Sequence, residues 1–579
     1  MPLMPGTGAL IVQSNTAILL DAHHPDFEAA RDAILPFANL EKSPEHIHTW
    51  SLTPLSLWNA AQAGLDARAV ISALAAHSRY QLPPSVERNV ESIMARFGRV
   101  SLRPSLRGPG FLFLEAADKR ARTEIASNRR AMKYLEADEE GGLAGFVLSL
   151  ADRGTVKLEL MRAGWPCLDL APLAEGEPLE IRLRDVDSRG MPFSPRPYQA
   201  DAARAFCGDL GPGTGFGTVV LPCGAGKTIV GMAVMERLCT NTLILTANSQ
   251  AVRQWRDELR DKTHLDPSLV GEYTGDRKEV RPVTVATYQI LVWRPDKEGD
   301  YPHFSLFRSR AWGLIIYDEV HLLPAPIFRI TAELQAVRRL GLTATLVRED
   351  GREEDVFALV GPKRYDVPWK ELESAGWIAS AYCREVRVPM DEGREMAYAA
   401  AETRAKARLA GENPFKLAVA AQLAAHHAGE GILVIGEYIA QLEEAARILG
   451  APLITGKTPG AERLELYQRF REGELRLLVV SRVANFAIDL PDASVAIQLS
   501  GSFGSRQEEA QRLGRILRPK HRNSYFYAIV SEGTVDETYS ANRQKFLVEQ
   551  GYRYAIERRD PRLDLPSPQG AFPEADQRA

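Results

Sequence analysis

Cysteine is scarce in this chain. Five occur in 579 residues (Cys167, Cys207, Cys223, Cys239, Cys383), and no two stand in C-x-x-C spacing. That argues against a disulfide framework or a structural zinc site and fits a reducing cytoplasm. Long apolar runs are missing as well. No stretch reaches the roughly 18 consecutive apolar residues of a membrane span, so no membrane partner is expected. The opening "MPLMPGTGALIVQSN" has neither a basic start nor an extended apolar segment, so no signal peptide is expected. Positive charge is not in surplus: 71 Lys and Arg face 75 Asp and Glu, a net charge of −4. Bulk charge therefore does not advertise nucleic-acid binding, although a local basic groove would suffice for it. No repeat of solenoid period is present. What remains is an ordinary globular composition, 45% hydrophobic and 25% charged, with length for about four domains.

Residues 1–105 are rich in Ala, Leu and His, with helical spacing in "PLSLWNAAQAGLDARAVISALAAHS". They predict a small helical, winged-helix-like module in which Asp66 caps a helix start. Residues 106–190 predict a small α/β module ("LAGFVLSL", "VKLELMRAGWPCLDLA", "EPLEIRLR"), followed by a Pro- and Gly-containing linker, "DSRGMPFSPRP". Over 191–385 short Val/Ile/Leu runs ("GTVVLP", "NTLILTA", "RPVTVAT", "WGLIIYDEV", "RRLGLTAT") alternate with helical segments. Continuous apolar runs of this length suit buried parallel strands with helices on both faces. Residues 386–430 are Ala-rich and predict a pair of inserted helices. The alternation resumes over 431–562 ("GILVIG", "LRLLVVS", "SVAIQLS", "YFYAIVS"). Residues 563–579 are Pro-rich and polar and predict a disordered tail.

"TVVLPCGAGKTIVGMAV" (218–234) is the strongest single motif. A strand ends at Leu221–Pro222, a Gly-containing loop follows, and Lys227 and Thr228 open a helix. Gly224, Ala225 and Gly226 would let backbone N–H groups face phosphate oxygens, with the helix N-terminus adding a favourable dipole. Lys227 would reach the β and γ phosphates of ATP, and Thr228 would bind Mg²⁺. The strict pattern starts with Gly where this chain has Leu221, a relaxation common in helicase-type loops. "WGLIIYDEVHLLPA" (312–325) then delivers Asp318 and Glu319 at a strand's C-terminal edge, where open α/β sheets bind ligands. Asp318 would hold the Mg²⁺ shell, and Glu319 would orient and deprotonate the attacking water. His321 is a candidate coupling residue. In "SRQEEAQRLGRILRPKHR" (505–522), Arg512, Arg515 and Arg518 share one helical face. Such a row is either solvated or supplies an arginine finger to the γ-phosphate.

Together these residues resemble a superfamily 2 helicase. "RPYQADAARAF" (196–206) resembles the motif that positions adenine, through Arg196 and Gln199. "GLTAT" resembles the coupling motif, through Thr343 and Thr345. "VSRVANFAIDLPDASVAIQLSG" resembles the motif joining nucleic acid to nucleotide, with Asp489 at the ribose. "QRLGRILR" resembles the arginine-finger motif, making Arg515 and Arg518 the fingers and Gln511 a γ-phosphate sensor. The "RED" triplet after "TAT" (Arg348, Glu349, Asp350) is similar to the mark of XPB-type (xeroderma pigmentosum group B-like) helicases. "NPFKLAVAAQLAAHH" is similar to their thumb-like insertion, and "VKLELMRAGWPCLDLA" to the region called a damage-recognition domain.

The resemblance implies two RecA-like parallel-sheet lobes with a helical thumb-like insertion, behind N-terminal helical and small α/β modules. It implies a prokaryotic 3′-to-5′ DNA helicase using ATP and Mg²⁺, with DNA repair as its setting. DNA would be the partner, single-stranded or as a forked duplex, with a nuclease or repair factor beside it in a cytoplasmic, nucleoid-associated place. The triplet would act as a wedge at the strand junction. Candidate strand contacts lie after strand ends: Thr246, Asn248, Thr287, Thr455 and Ser481. Each of these also suits a helix cap or turn. Trp255 either stacks on a base or packs its helix against the sheet. Two further readings stay open: a duplex translocase that does not separate strands, and an RNA helicase.

Overall fold

The computed structural model describes residues 8–42, 46–116, 118–211, 213–222, 224–296, 301–335, 337–344, 353–367, 369–377, 379–481, 493–501, 523–549, 552 and 554–562. The chain divides into two compact units, Met1–Leu372 and Glu373–Ala579.

The first module contains more strand than its composition predicts. Leu10–Val12, Ala17–Asp21, Ile47–Ser51 and Asn39–Lys42 form a four-stranded antiparallel sheet, and three helices follow: Pro54–Gln62, Ala67–His77 and Pro84–Met94. The strand Ile47–Ser51 buries alternate side chains, but one of them is His48 beside Trp50, and a polar residue on the inward face hides the period of two. Asp66 does cap its helix, accepting the Ala69 N–H at 2.7 Å.

A second sheet runs in the order Glu136–Glu140, Leu143–Ser149, Phe111–Ala116, Val100–Pro104, Cys167–Asp169. It is antiparallel except for its last pair. Val100–Pro104 thus pairs into this second sheet, although the expected boundary at 105 assigns it to the first module. The short turn between Val100–Pro104 and Phe111–Ala116 explains the pairing: hairpin partners are neighbours in sequence.

The helix Arg153–Arg162 fastens this module to the parallel sheet that follows. Arg153 and Lys157 lie one turn apart and both donate to Asp169, at 2.7 and 2.9 Å. Lys157 also reaches Gln335 Oε1 at 2.9 Å. Arg153, Lys157, Asp169, Gln335 and Arg339 are all buried. Gly154 is required for close approach, since a Cβ there would lie 2.4 Å from the Ala332 carbonyl oxygen. Burial pushes Lys157 down to about 8 against the opposing pull of Asp169. Burial alone would raise Asp169, but Lys157 and Arg153 outweigh it and hold the carboxyl far below its ordinary value.

The parallel sheet of the first unit has seven strands, in the order Val270–Tyr273, Val283–Thr287, Thr242–Thr246, Leu314–Asp318, Arg338–Thr343, Phe216–Val220, Lys363–Asp366. The apolar runs read from the sequence are its central strands, buried along their length except at Asp318, which is half-buried. The second unit holds another seven-stranded parallel sheet: Leu453–Ile454, Leu477–Ser481, Ile432–Gly436, Val495–Gln498, Ser524–Ser531, Ala381–Val388, Tyr554–Arg558. The expected lobe boundary at 385 therefore falls inside a strand of the second lobe. The expected helix pair over 386–430 is three helices, Glu392–Ala400, Thr403–Gly411 and Phe415–His426. The third packs into the second lobe's core through Val419, Ala420 and Leu423. Its Lys416 is buried on Asp536 and donates to the Leu499 carbonyl at 3.0 Å.

Asp169→Asn leaves two buried cations without their counter-charge and is expected to destabilise the chain by about 3–5 kcal/mol in urea unfolding. A depressed carboxylate contributes stability above its unfolded pKa and loses it as pH falls toward the folded value. The variant should therefore also show a shallower acid loss of stability than the parent below about pH 4.

Candidate active site

The phosphate-loop segment follows the buried strand Phe216–Val220. Gly224 and Gly226 both take positive φ, at 82° and 78°. Gly226 has a second reason to lack a side chain, because a Cβ there would meet Gln199 Nε2 at 2.5 Å. It also precedes the helix Lys227–Leu238, whose first turn carries Lys227 and Thr228. The "RPYQ" segment grips this loop from behind. Tyr198 Oη and Gln199 Nε2 each donate to the Ala225 carbonyl at 2.8 Å, while Gln199 Oε1 accepts the Arg196 N–H at 2.8 Å. Arg196 Nη1 lies 3.2 Å from Tyr198 Oη. Gln199 is thus a buried brace of the loop, and a contact to a base would compete with bonds it already makes.

Asp318 closes the strand Leu314–Asp318, and the next residue turns sharply. Glu319 sits in the left-handed region at φ 51°, a conformation that a residue with a side chain adopts at a cost of about 1–3 kcal/mol. The turn aims its carboxylate back at the loop, where Lys227 Nζ lies 3.2 Å from Glu319 Oε1. On the other side, His321 Nδ1 is 2.7 Å from Thr343 Oγ1 and 3.5 Å from Glu319 Oε2. The Ala344 N–H also serves the Glu319 carboxylate. Asp318 is held by two aromatic side chains: Trp255 Nε1 donates to Asp318 Oδ2, and Tyr288 Oη to the Asp318 carbonyl, both at 2.9 Å. Burial, then the Glu319 charge, raise Asp318 to about 6. Burial opposes the charge of Glu319 too, but Lys227 and His321 outweigh it and leave Glu319 below its ordinary value.

The residues fit a magnesium nucleotide by their donor chemistry. A hydroxyl at Thr228 and a carboxylate at Asp318 are hard oxygen ligands. No group of three or more His, Cys, Asp or Glu among the described residues could enclose a metal by itself, so phosphate or water oxygens would complete its shell. Glu319 Oε2 is buried with no hydrogen-bond donor among the described residues, where a polarised water would find an acceptor. When bound, Mg²⁺ would neutralise charge on the transferring phosphoryl group.

The expected strand contacts fare differently. Thr246 is fully buried and donates to backbone oxygens of Asn248 and Ala286, and Thr287 is buried and caps the short helix Tyr288–Leu291. Both hydroxyls are already engaged within the protein. Asn248 caps the helix Ser249–Lys262. Thr455 is half-buried and serves a turn, its hydroxyl accepting the Lys457 N–H at 3.2 Å. Ser481 is buried at the end of Leu477–Ser481. Thr345, Arg348, Glu349, Asp350, Asp489, Gln511, Arg515 and Arg518 lie outside the described residues.

Sequence reasoning did not find the bonds of Trp255 and Tyr288 to Asp318, or of Tyr198 to the loop. Trp255 packs its helix on the sheet as one reading expected, and it does more. The signal available was an apolar aromatic in "VRQWRDEL"; its partner lies 63 residues away.

A family model described as ERCC3/RAD25/XPB C-terminal helicase matches residues 372–572, and one described as type III restriction enzyme, res subunit, matches 192–348. A third, described as helicase conserved C-terminal domain, matches 10–139, a segment that here carries antiparallel sheets. The chain is 50% identical over 572 residues to the DNA 3'-5' helicase XPB of Kineococcus radiotolerans, covering 98% of this chain and 99% of that one. The chain belongs to the XPB helicase family. An XPB relative from Mycobacterium tuberculosis is 50% identical over 552 residues, 95% of this chain and 97% of its own. The XPB subunit of the general transcription and DNA repair factor IIH of Encephalitozoon cuniculi is 32% identical over 554 residues, 93% of this chain and 81% of its own.

Glu319→Gln keeps the shape of the turn and removes the candidate base. Turnover of ATP is expected to fall by about 10²- to 10⁴-fold while nucleotide affinity, measured by titration of a fluorescent analogue, stays within a few-fold of the parent.

Proposed function

We propose that this XPB-family chain is an ATP-dependent DNA helicase that moves 3′-to-5′ and opens duplex, with DNA repair as its setting. The observation that supports it most is the 50% identity, over nearly the whole length of both chains, to relatives named DNA 3'-5' helicase XPB. The local geometry is consistent with the chemistry. Lys227 and the loop amides bind the phosphates, Thr228 and Asp318 hold Mg²⁺, and Glu319 takes a proton from the attacking water. His321 carries the state of Glu319 to Thr343 in the coupling motif. Arg515 and Arg518 complete the charge stabilisation, Gln511 senses the γ-phosphate and Asp489 contacts the ribose. Arg196 and Gln199 border the base, with Gln199 acting through the loop. Thr345 belongs with Thr343, and Arg348, Glu349 and Asp350 act at the strand junction. The family resemblance supports a cytoplasmic place at DNA, with a nuclease or repair factor as partner. No helix among the described residues is long and apolar enough to cross a membrane.

A second reading has one observation in its favour: the relative from Encephalitozoon cuniculi is named a helicase/translocase subunit. ATP-driven movement along duplex without strand separation would satisfy the same site.

Strand separation on forked duplexes with only a 3′ or only a 5′ loading tail, in DNA and in RNA, decides between them. Unwinding of 3′-tailed DNA alone, lost in Lys227→Ala, is the expected outcome. Nucleic-acid-stimulated hydrolysis that displaces a triplex strand but separates no duplex would favour the translocase. Arg348→Ala and Glu349→Ala should reduce unwinding more than hydrolysis; unwinding equal to the parent would remove the wedge.

A further inference from the structure

The two bonds that hold Asp318 come from two segments with a common origin. Trp255 stands on the helix Ser249–Lys262, which begins directly after the strand Thr242–Thr246 and is capped by Asn248. Tyr288 opens the helix Tyr288–Leu291, which begins directly after the neighbouring strand Val283–Thr287 and is capped by Thr287. The two strands pair in parallel, with Thr246 opposite Thr287, and Gln289 Nε2 donates to the Ala247 carbonyl between them. One stretch of sheet edge thus sends two aromatic arms to the same aspartate. The indole has no freedom to move alone. Trp255 is buried, and a Cβ at Gly231, one turn into the helix that starts with Lys227, would lie 2.5 Å from its ring.

We propose that Trp255 and Tyr288 are positioning residues that set the Asp318 carboxylate for Mg²⁺. The proposal rests on the reading of Lys227, Thr228, Asp318 and Glu319 as the nucleotide site. The indole N–H fixes Asp318 Oδ2 and the phenol fixes the peptide from which the side chain springs. Gln289 ties the two turns to each other, so both arms are held in one frame.

Trp255→Phe removes the N–H and keeps a ring in the slot. Its control is Trp312→Phe, which deletes an equally buried indole bond, to the Leu306 carbonyl, without touching Asp318. Binding of a fluorescent ATP analogue and hydrolysis are both titrated with Mg²⁺. Trp255→Phe is expected to need about tenfold more Mg²⁺ for half-maximal binding and hydrolysis, the loss of one hydrogen bond to a charged group. Trp312→Phe should match the parent in both. Tyr288→Phe, which removes only an oxygen, should shift Mg²⁺ dependence in the same direction and answers the question if Trp255→Phe does not fold. A Mg²⁺ dependence in Trp255→Phe or Tyr288→Phe equal to that of Trp312→Phe would overturn the proposal. Unchanged nucleotide affinity in Lys227→Ala would instead overturn the reading of the site, and the proposal with it.

Discussion

Two carboxylates on consecutive residues, half-buried at the end of one strand, set the terms for everything around them. Burial works against both charges, and the Glu319 charge raises Asp318 further. Such a pair is stable only where cations and donors converge on it. The structure divides the task. Glu319 receives Lys227, the Ala344 N–H and the nearby His321, and stays ionised. Asp318 receives the weaker, neutral indole and is raised instead. The two acids are thereby driven apart in proton affinity, which is the condition for giving neighbouring carboxylates different roles. The left-handed turn at Glu319 costs strain, and the ion pair with Lys227 is the contact that offsets it.

The parallel sheet makes that convergence possible. Leu314–Asp318, Arg338–Thr343 and Phe216–Val220 lie side by side, with Asp318 opposite Leu342 and Thr343 opposite Val220. All three strands end at the same edge. Three loops far apart in sequence therefore meet there, and a shift in one reaches the others through bonds of 2.7 to 3.2 Å.

Some of this was legible from residues in order. The loop "GAGKT" and "DEVH" announce themselves because each motif's chemistry lies within a few consecutive residues after an apolar run. Contacts made across the sheet were not legible. Nothing in "VRQWRDEL" says that its tryptophan ends on Asp318, and nothing in "TLILTAN" says that Thr246 is walled in by Ala286 and Asn248. Hydroxyls after strand ends suggested strand contacts, but at Thr287 the backbone claimed the side chain first as a cap. The module boundaries at 105 and 385 missed for a related reason. Val100–Pro104 and Ala381–Val388 are short strands whose partners lie further along the chain, and pairing, not composition, decides where they belong.

The strand Arg338–Thr343 gives the N-terminal region a stake in the site. At its start Arg339 is buried, donating to the carbonyls of Gln335 and Leu359 and facing Arg153 of the second module; at its end Thr343 meets His321. A buried ionic cluster is weak evidence for added stability, because desolvating four charged side chains offsets most of the attraction. What it specifies is position. Arg153 and Lys157 are satisfied only when Asp169 lies between them and Gln335 is in reach, and Gly154 admits the Ala332 backbone only at one spacing. These directional bonds hold the module against the beginning of the strand whose other end carries Thr343. The N-terminal region of the first unit is therefore part of the frame on which the candidate site is built.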